Sequence, residues 1–259
     1  MLLLAGLGAS GKSWAPQIEE LSKEYECLSF DSRGVGMSQP PGTRVTVAQM
    51  AEDGLTLMRA LRWNSAHVVG HSLGGLVAQE LAFTARERVR SLTLLCSYSN
   101  GRSAASFSPS LYWLGLRALL GNKTARRAAY LRLILPPNSD TGERRIEVLE
   151  RANSRTYGDL RSRRGVLLDQ LRAMREYDAS RPLRLLAGIP TLVISAQFDL
   201  IAPPRLGRAL ADAIPGAEYR EIKRASHAAP SHRTAEVNAL LQAHLAVAEA
   251  RRRKRGRAA

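Results

Sequence analysis

The sequence predicts an α/β protein with a mostly parallel central sheet, helices on both faces and an inserted helical cap. Three observations carry this. Short apolar runs alternate with stretches of helical periodicity over residues 1–99 and again over 187–250, as strand–helix–strand units do. Between residues 100 and 186 the alternation stops and only helical patterns remain. Within the first half, Val68-Val69-Gly70-His71-Ser72-Leu73-Gly74-Gly75 sets a serine between glycines where an apolar run ends and a helical one begins. The expected organisation is a core in two parts (1–99 and 187–250), a helical insertion (100–186) and a disordered basic tail (251–259). At 259 residues and 45% hydrophobic content, the chain is long enough to bury a core without disulfide or metal staples.

In order, Met1 to Ala5 reads as a short strand, Pro16 to Lys23 as a short helix and Tyr25 to Phe30 as the next strand. Thr46 with Gln49 has the spacing of a capping box, opening a helix with Val47, Met50, Ala51, Met58 and Leu61 on one face. Ala66 to Val69 is a buried strand, Leu73 to Thr84 a helix and Ser91 to Cys96 another strand. Inside the insertion, Leu111 to Leu120, Ala125 to Leu135, Glu143 to Arg155 and Val166 to Arg175 read as helices, punctuated by Gly121-Asn122, Pro136-Pro137-Asn138 and Gly158-Asp159. Strand and helix resume with Pro190 to Ala196, Arg205 to Ile214, Glu218 to Ile222 and Thr234 to Ala248. No internal repeat is evident.

The net charge of +15 is unevenly placed. Residues 1–100 and 185–250 are balanced, whereas 101–184 hold 17 basic against 8 acidic residues and 251–259 hold 6 basic and none acidic. Such a surplus can steer an anionic substrate toward the insertion, although a solvated face is the commoner meaning of surface arginines. The tail Arg251-Arg252-Arg253-Lys254-Arg255-Gly256-Arg257 has no interleaved aromatics and belongs to no nucleic-acid module. The expected partner is a small molecule, with no specific nucleic acid and no membrane insertion, for a monomer or homo-oligomer. Cys27 and Cys96 each fall within an apolar run and read as separate buried thiols, which fits a reducing compartment. The opening apolar run lacks a basic n-region and is short for a signal peptide, so a cytoplasmic protein is expected.

Two glycine-rich segments compete for the chemistry. Gly6-Leu7-Gly8-Ala9-Ser10-Gly11-Lys12-Ser13 satisfies G-x-x-x-x-G-K-[ST] after a strand, which makes NTP binding the alternative reading. A phosphate cradle needs a helix propagating from its Lys-Ser. Here Pro16 falls in the first turn, and the one Walker-B candidate, Cys27 to Asp31, is interrupted by Ser29. The second segment, Gly70-His71-Ser72-Leu73-Gly74, matches G-x-S-x-G. Strand, turn and helix converge there, so positions two before and two after the serine must lack side chains while the serine is held in a strained backbone.

A serine hydroxyl is a poor nucleophile until an imidazole takes its proton and a carboxylate orients that imidazole. Asp199 follows the strand ending at Ala196, and His227 follows the strand ending at Ile222. The order is therefore Ser72, Asp199, His227, with both partners beyond strand ends. Among the other histidines, His67 and His244 read as structural, His71 as facing away from a pocket entered by Ser72, and His232 as the competitor of His227. After the strand ending at Cys96 the chain reads Ser97-Tyr98-Ser99-Asn100, with no carboxylate to rival Asp199.

With Gly6-Leu7-Gly8, Ser13-Trp14, the Asp31-Ser32-Arg33-Gly34-Val35-Gly36-Met37-Ser38 loop, Gly70 to Gly75, Asp199 and His227 in place, the chain resembles the capped serine hydrolases of the α/β-hydrolase fold superfamily, such as bacterial carboxylesterases, enol-lactonases and cofactor-free haloperoxidases. The resemblance spans nearly the whole chain. It implies an oxyanion hole from the backbone N–H groups of Leu7 and Leu73, a Ser72–His227–Asp199 triad, and no metal or cofactor. Three departures stand out: Ala5 replaces the usual histidine before the first glycine, Ser226 replaces the usual glycine before His227, and the chain begins at what corresponds to the third strand of the fold. That start implies an exposed sheet edge or a start site placed late. The implied reaction is acyl transfer to water from a carboxylic ester, lactone or thioester; C–C bond hydrolysis or haloperoxidase-like activity on the same residues is the alternative. Trp14, Tyr112, Trp113 and Tyr130 are the candidate substrate-binding residues, with Phe107 and Tyr157 beside them, and for those in the insertion packing within it is at least as good a reading.

Overall fold

A computed structural model describes residues 1–40, 42–104, 113, 117, 122–137, 164–180 and 182–258. Six strands form one sheet: β1 (Leu2–Leu4), β2 (Leu28–Ser29), β3 (Ala66–His71), β4 (Val89–Leu95), β5 (Thr191–Ala196) and β6 (Glu218–Ile222). Their order is β2-β1-β3-β4-β5-β6 and every pairing is parallel. All carboxyl ends therefore gather at one rim. The helices around the sheet are α1 (Ala15–Leu21), α2 (Val47–Ala60), α3 (Leu73–Thr84), α7 (Pro204–Ala213), the short α8 (Ala229–His232) and α9 (Thr234–Ala258). Between β4 and β5 lie α4 (Gly101–Ala104), α5 (Lys123–Ile134) and α6 (Arg164–Glu176).

Strand periodicity divides the core into two layers. Leu2, Leu4, Val68 and Val193 point to one side and pack with Met50, Leu55 and Met58 of α2, Leu76 and Leu81 of α3, and Leu210 of α7. Leu3, Val69, Leu192 and Ile194 point to the other and pack with Leu21 of α1 and Val237, Leu241 and Leu245 of α9. Both faces are covered, as near-continuous apolar parallel strands require. Thr46 caps α2 by accepting from Gln49 N–H, but the Gln49 side-chain oxygen has no partner, so only half of the expected capping box forms. Leu61, expected on the apolar face, is instead the exposed C-cap of α2.

Two expectations are corrected. The strand expected over Tyr25 to Phe30 shrinks to Leu28–Ser29, because Tyr25 N–H is taken by Leu21 O at the end of α1 and pairing with β1 holds only Leu28 and Ser29. The tail expected to be disordered continues α9 as helix to Ala258. Arginine and lysine are good helix formers, and the packed part of α9 has already met the cost of nucleation. In the insertion, the helices expected at Ala125 to Leu135 and Val166 to Arg175 correspond to α5 and α6. The one expected at Glu143 to Arg155 lies outside the described residues, as does Leu111 to Leu120 apart from 113 and 117. The ends of the insertion meet in an antiparallel bridge between Asn100 and Asp178, with Gly101 N–H donating to Tyr177 O and Ala179 N–H to Ser99 O.

Packing under the β3–α3 junction leaves no room for a side chain. A Cβ on Gly74 would stand 2.0 Å from Leu4 O and 2.8 Å from Ala5 O, and one on Gly70 2.2 Å from Gly74 O. Both neighbours are backbone and cannot turn aside. We expect Gly74→Ala to destabilise the protein by about 3 kcal/mol or more, and Gly42→Ala, where a Cβ meets nothing within 4 Å, to stay within about 0.5 kcal/mol of the parent, both read by urea unfolding.

Candidate active site

Three junctions at the carboxyl rim hold the predicted residues, and Asp199 and His227 meet there directly. At the first, Ser72 ends β3 and caps α3 with φ 55° and ψ −119°. A left-handed φ on a serine costs of order 1–3 kcal/mol and persists only where its surroundings enforce it. They do so here: Ser72 N–H donates to Leu95 O (2.9 Å), Ser72 O accepts from Gly75 N–H (2.9 Å), and the Ser97 hydroxyl donates to Ser72 O (3.0 Å).

At the second junction, the turn after β5 holds Asp199 almost wholly buried. Its Oδ1 accepts from the N–H groups of Ile201 and Ala202, each at 2.8 Å, and its Oδ2 accepts from His227 Nδ1–H at 2.8 Å. Burial alone disfavours the carboxylate; the His227 ring and those two N–H groups outweigh it and hold the Asp199 carboxyl below its usual range. Because Nδ1 carries the donated proton, Nε2 of His227 is left as the basic nitrogen. The third junction is the loop after β6, where the Ser226 hydroxyl donates to Phe198 O (3.0 Å) and ties the histidine loop to the aspartate turn. The serine found in place of the usual glycine therefore has a structural use.

Among the described residues no hydrogen bond joins Ser72 Oγ to the His227 ring. The link between the two loops is His71. Its Nε2–H donates to His227 O (2.9 Å), the two rings lie 4.9 Å apart, and the edge of Trp14 closes on His71 from 6.4 Å. His71 does not face away, as expected from its place in the elbow; it braces the backbone of His227. Burial, followed by the neighbouring His227, lowers its pKa to about 3, so it is a neutral brace. Nor does His232 compete with His227. Its Nδ1–H donates to Ala228 O (2.8 Å) and its Nε2 accepts from Ser226 N–H (3.3 Å), so both ring nitrogens are occupied in folding the loop.

The first glycine-rich loop is a tight turn: Ala9 N–H donates to Gly6 O (3.1 Å) and Gly8 has φ 63°. Gly8 N–H donates to Gln170 Oε1 of α6 (2.9 Å), and Gly11 N–H to Asp31 Oδ1 (2.8 Å). Those amides are spent, and Gly11 and Lys12 open a 3-10 turn rather than a long helix, so the phosphate-cradle reading of Gly6 to Ser13 is set aside. Asp31 also accepts from Met37 N–H (2.8 Å), which gives the Asp31 to Ser38 loop a bracing role behind the site. Leu7 N–H and Leu73 N–H have no acceptor among the described residues; that of Leu73 is an orphan of the first turn of α3.

Of the candidate substrate-binding residues, Trp14 is buried with its edge toward His71, and Trp113 is 60% exposed. Tyr112, Phe107 and Tyr157 lie outside the described residues; Tyr130 falls in α5 but its side chain is outside them too. His71, Cys96 and His227 form a group of metal-ligand types within 4.8 Å. However, His71 Nε2 and His227 Nδ1 are committed to His227 O and Asp199, and burial, reinforced by Asp199, pushes the Cys96 thiol well up. Cys27 and Cys96 are both free thiols, Cys27 only half-buried.

The family described as "alpha/beta hydrolase fold" matches residues 1–231. The chain belongs to the α/β-hydrolase fold family. The chain is similar to the enol-lactonase from Burkholderia xenovorans LB400, with a TM-score of 0.79 at 29% identity, covering 95% of this chain and 90% of that one. A thermophilic esterase from Thermogutta terrifontis gives 0.79 at 26% identity, covering 95% and 89%. The "Putative carbamate hydrolase RutD" of Azorhizobium caulinodans is 30% identical over 228 residues, 88% of this chain and 84% of that protein. With relatives named hydrolases, esterases and lactonases, this member of the α/β-hydrolase family is an enzyme of the hydrolase type. No helix among the described residues is long and apolar enough to cross a membrane.

Burial leaves His232 with a pKa of about 4, as it does His67 beneath the other end of β3. Together with His71, these rings are neutral in the folded protein at pH values where free histidine, at 6.5, already takes a proton. The unfolded state binds the proton first, so stability is full above pH 6.5 and falls as pH drops toward 4, by about 1.4 kcal/mol per pH unit for each ring. Asp199, depressed below 3.8, adds nothing to that window. Urea unfolding between pH 7 and 4.5 should show this decline, and His232→Gln should make it shallower; a flat profile would contradict the burial assignments.

Proposed function

We propose that the enzyme cleaves a carboxylic ester or lactone through an acyl-enzyme on Ser72, with His227 as general base and acid and Asp199 as its orienting carboxylate. The observation that carries this reading is the 2.8 Å Asp199–His227 bond, with His71, the chain neighbour of the left-handed Ser72, bonded to His227 O. The Asp199 bond fixes the tautomer that leaves Nε2 able to accept a proton. In the first half-reaction Ser72 Oγ bonds to the carbonyl carbon and gives its proton to Nε2. The oxyanion is met by the N–H groups of Leu7 and Leu73. The carbon–oxygen bond to the leaving group then breaks and that oxygen takes the proton from Nε2. In the second half-reaction water loses a proton to Nε2 as it attacks the acyl carbon, and Ser72 leaves with that proton as the acid is released.

Among the relatives, the names enol-lactonase and esterase favour a carboxylic ester or its cyclic form over a thioester or a C–C bond. We assign residues 100–186 as the cap that bounds the substrate space. It touches two of the reacting loops: Ala228 N–H donates to Ile134 O of α5 (3.0 Å), and Ile201 packs with Leu131, Leu133 and Leu135.

A fluorophosphonate probe should label Ser72 and leave Ser72→Ala unmodified, with hydrolysis of short p-nitrophenyl esters and of simple lactones lost in that variant. Asp199→Asn should retain the fold and lower kcat by about 10⁴-fold, the size of loss seen when a triad carboxylate is removed. An unlabelled parent, or an Asp199→Asn enzyme within tenfold of the parent, would rule the scheme out.

A further inference from the structure

Gln170 is a polar side chain from the inserted segment that is 99% buried, being only 1% exposed, with no role in the sequence reading. It projects from α6 and reaches the glycine-rich turn 162 residues away, where its side chain accepts from Gly8 N–H at 2.9 Å. Because the backbone group is a donor, the bonded atom must be the amide oxygen, so the orientation of the side chain is fixed. The turn it grips is closed by Ala9 N–H to Gly6 O, and Gly8 is in the left-handed region. The Leu7–Gly8 peptide is thus the central peptide of a type II turn, the unit that flips most readily in such turns. Holding Gly8 N–H fixes that peptide plane with its Leu7 carbonyl and pins the turn to α6; Leu7 N–H belongs to the neighbouring Gly6–Leu7 peptide and is held through the position of the turn.

We propose that Gln170 is a positioning residue by which the cap sets the oxyanion loop: α6 must be seated for Gly8 to be gripped and for Leu7 N–H to point at the developing negative charge. This rests on the acyl-enzyme reading above and extends it. The same segment meets the histidine loop through Ile134 O and Ala228 N–H, so the cap is tied to both loops that flank the scissile carbonyl. Burial of an amide is costly unless it is bonded, and the bond it makes is to this turn. In this arrangement the cap contributes to rate as well as to substrate choice, because a displacement of about 1 Å in a charge-stabilising donor costs of the order of a hundredfold.

The test compares the parent with Gln170→Met, which keeps the length and loses the acceptor, and with Gln170→Asn, which keeps an amide one methylene short and serves if the Met variant does not fold. Amide hydrogen exchange over the Leu4 to Ser10 stretch is read alongside ester kinetics and inhibition by a trifluoromethyl ketone. The expected result is exchange at Gly8 faster by about tenfold or more and kcat lower by about 10- to 100-fold. KM should stay within about threefold, and trifluoromethyl ketone affinity should weaken in step with kcat/KM. Unchanged exchange at Gly8 overturns the positioning claim whatever the activity. Faster exchange with unchanged kcat, or a loss confined to KM, overturns its role in the reaction. A parent that neither reacts with a fluorophosphonate nor hydrolyses esters sinks the acyl-enzyme reading instead, and with it Gln170's part in the reaction, while the exchange data still decide what Gln170 holds.

Discussion

The structure depends on one close approach: the first turn of α3 lying directly on the carboxyl end of β1. Gly74 sits so near Leu4 O and Ala5 O that a single methyl group has no room, and Gly70 is pressed as closely by Gly74 O. Helix and strand can meet at this distance only if the connecting residue takes an unfavourable backbone, and that residue is Ser72. The strain is therefore a consequence of packing. The same approach that sets the serine starts α3 against the end of β1, just before the glycine-rich turn that contains Leu7. Sheet order completes the arrangement. With β3 flanked by β1 and β4, the serine junction is bordered on one side by the glycine-rich turn and on the other by Cys96 and Ser97.

Around that contact several polar groups of the rim are committed to one another. Asp199 spends one oxygen on two backbone N–H groups and the other on His227, so its charge is retained although it is buried. His227 is held from three directions: by Asp199 at its ring, by His71 at its carbonyl, and by the loop that Ser226 and His232 fold behind it. His71 and His232 are neutral by burial, which keeps their positive charge away from the His227 loop. The proposed reaction uses the one nitrogen of His227 that Asp199 does not engage.

Much of this was legible along the chain because it is local. The elbow could be read from Gly70 to Gly74 since the demand for absent side chains acts over five residues, and the strands could be read from apolar runs that both faces of a parallel sheet require. Asp199 and His227 were legible from order and from their places beyond strand ends. What could not be read was tertiary. Gln170 meets Gly8 across 162 residues and His71 meets His227 across 156, and neither leaves a local pattern; the one available signal for His71 was its place inside the elbow. The strand at Leu28 was overread because hydrophobicity does not say how far an edge strand stays paired. The basic end of α9 was underread because charge composition suggested a solvated coil, where a helix already anchored by Val237, Leu241 and Leu245 simply continues.

The account centres on a covalent bond between Ser72 and the acyl group of a substrate. It is tested most directly by rapid acid quench of the enzyme with p-nitrophenyl acetate, followed by peptide mass spectrometry. We predict an acetyl group on the peptide containing Ser72, formed within the first turnover and accumulating when His227 is replaced by a residue that slows deacylation more than acylation. Turnover with no acetylated peptide, or with the acetyl group on another residue, would contradict it.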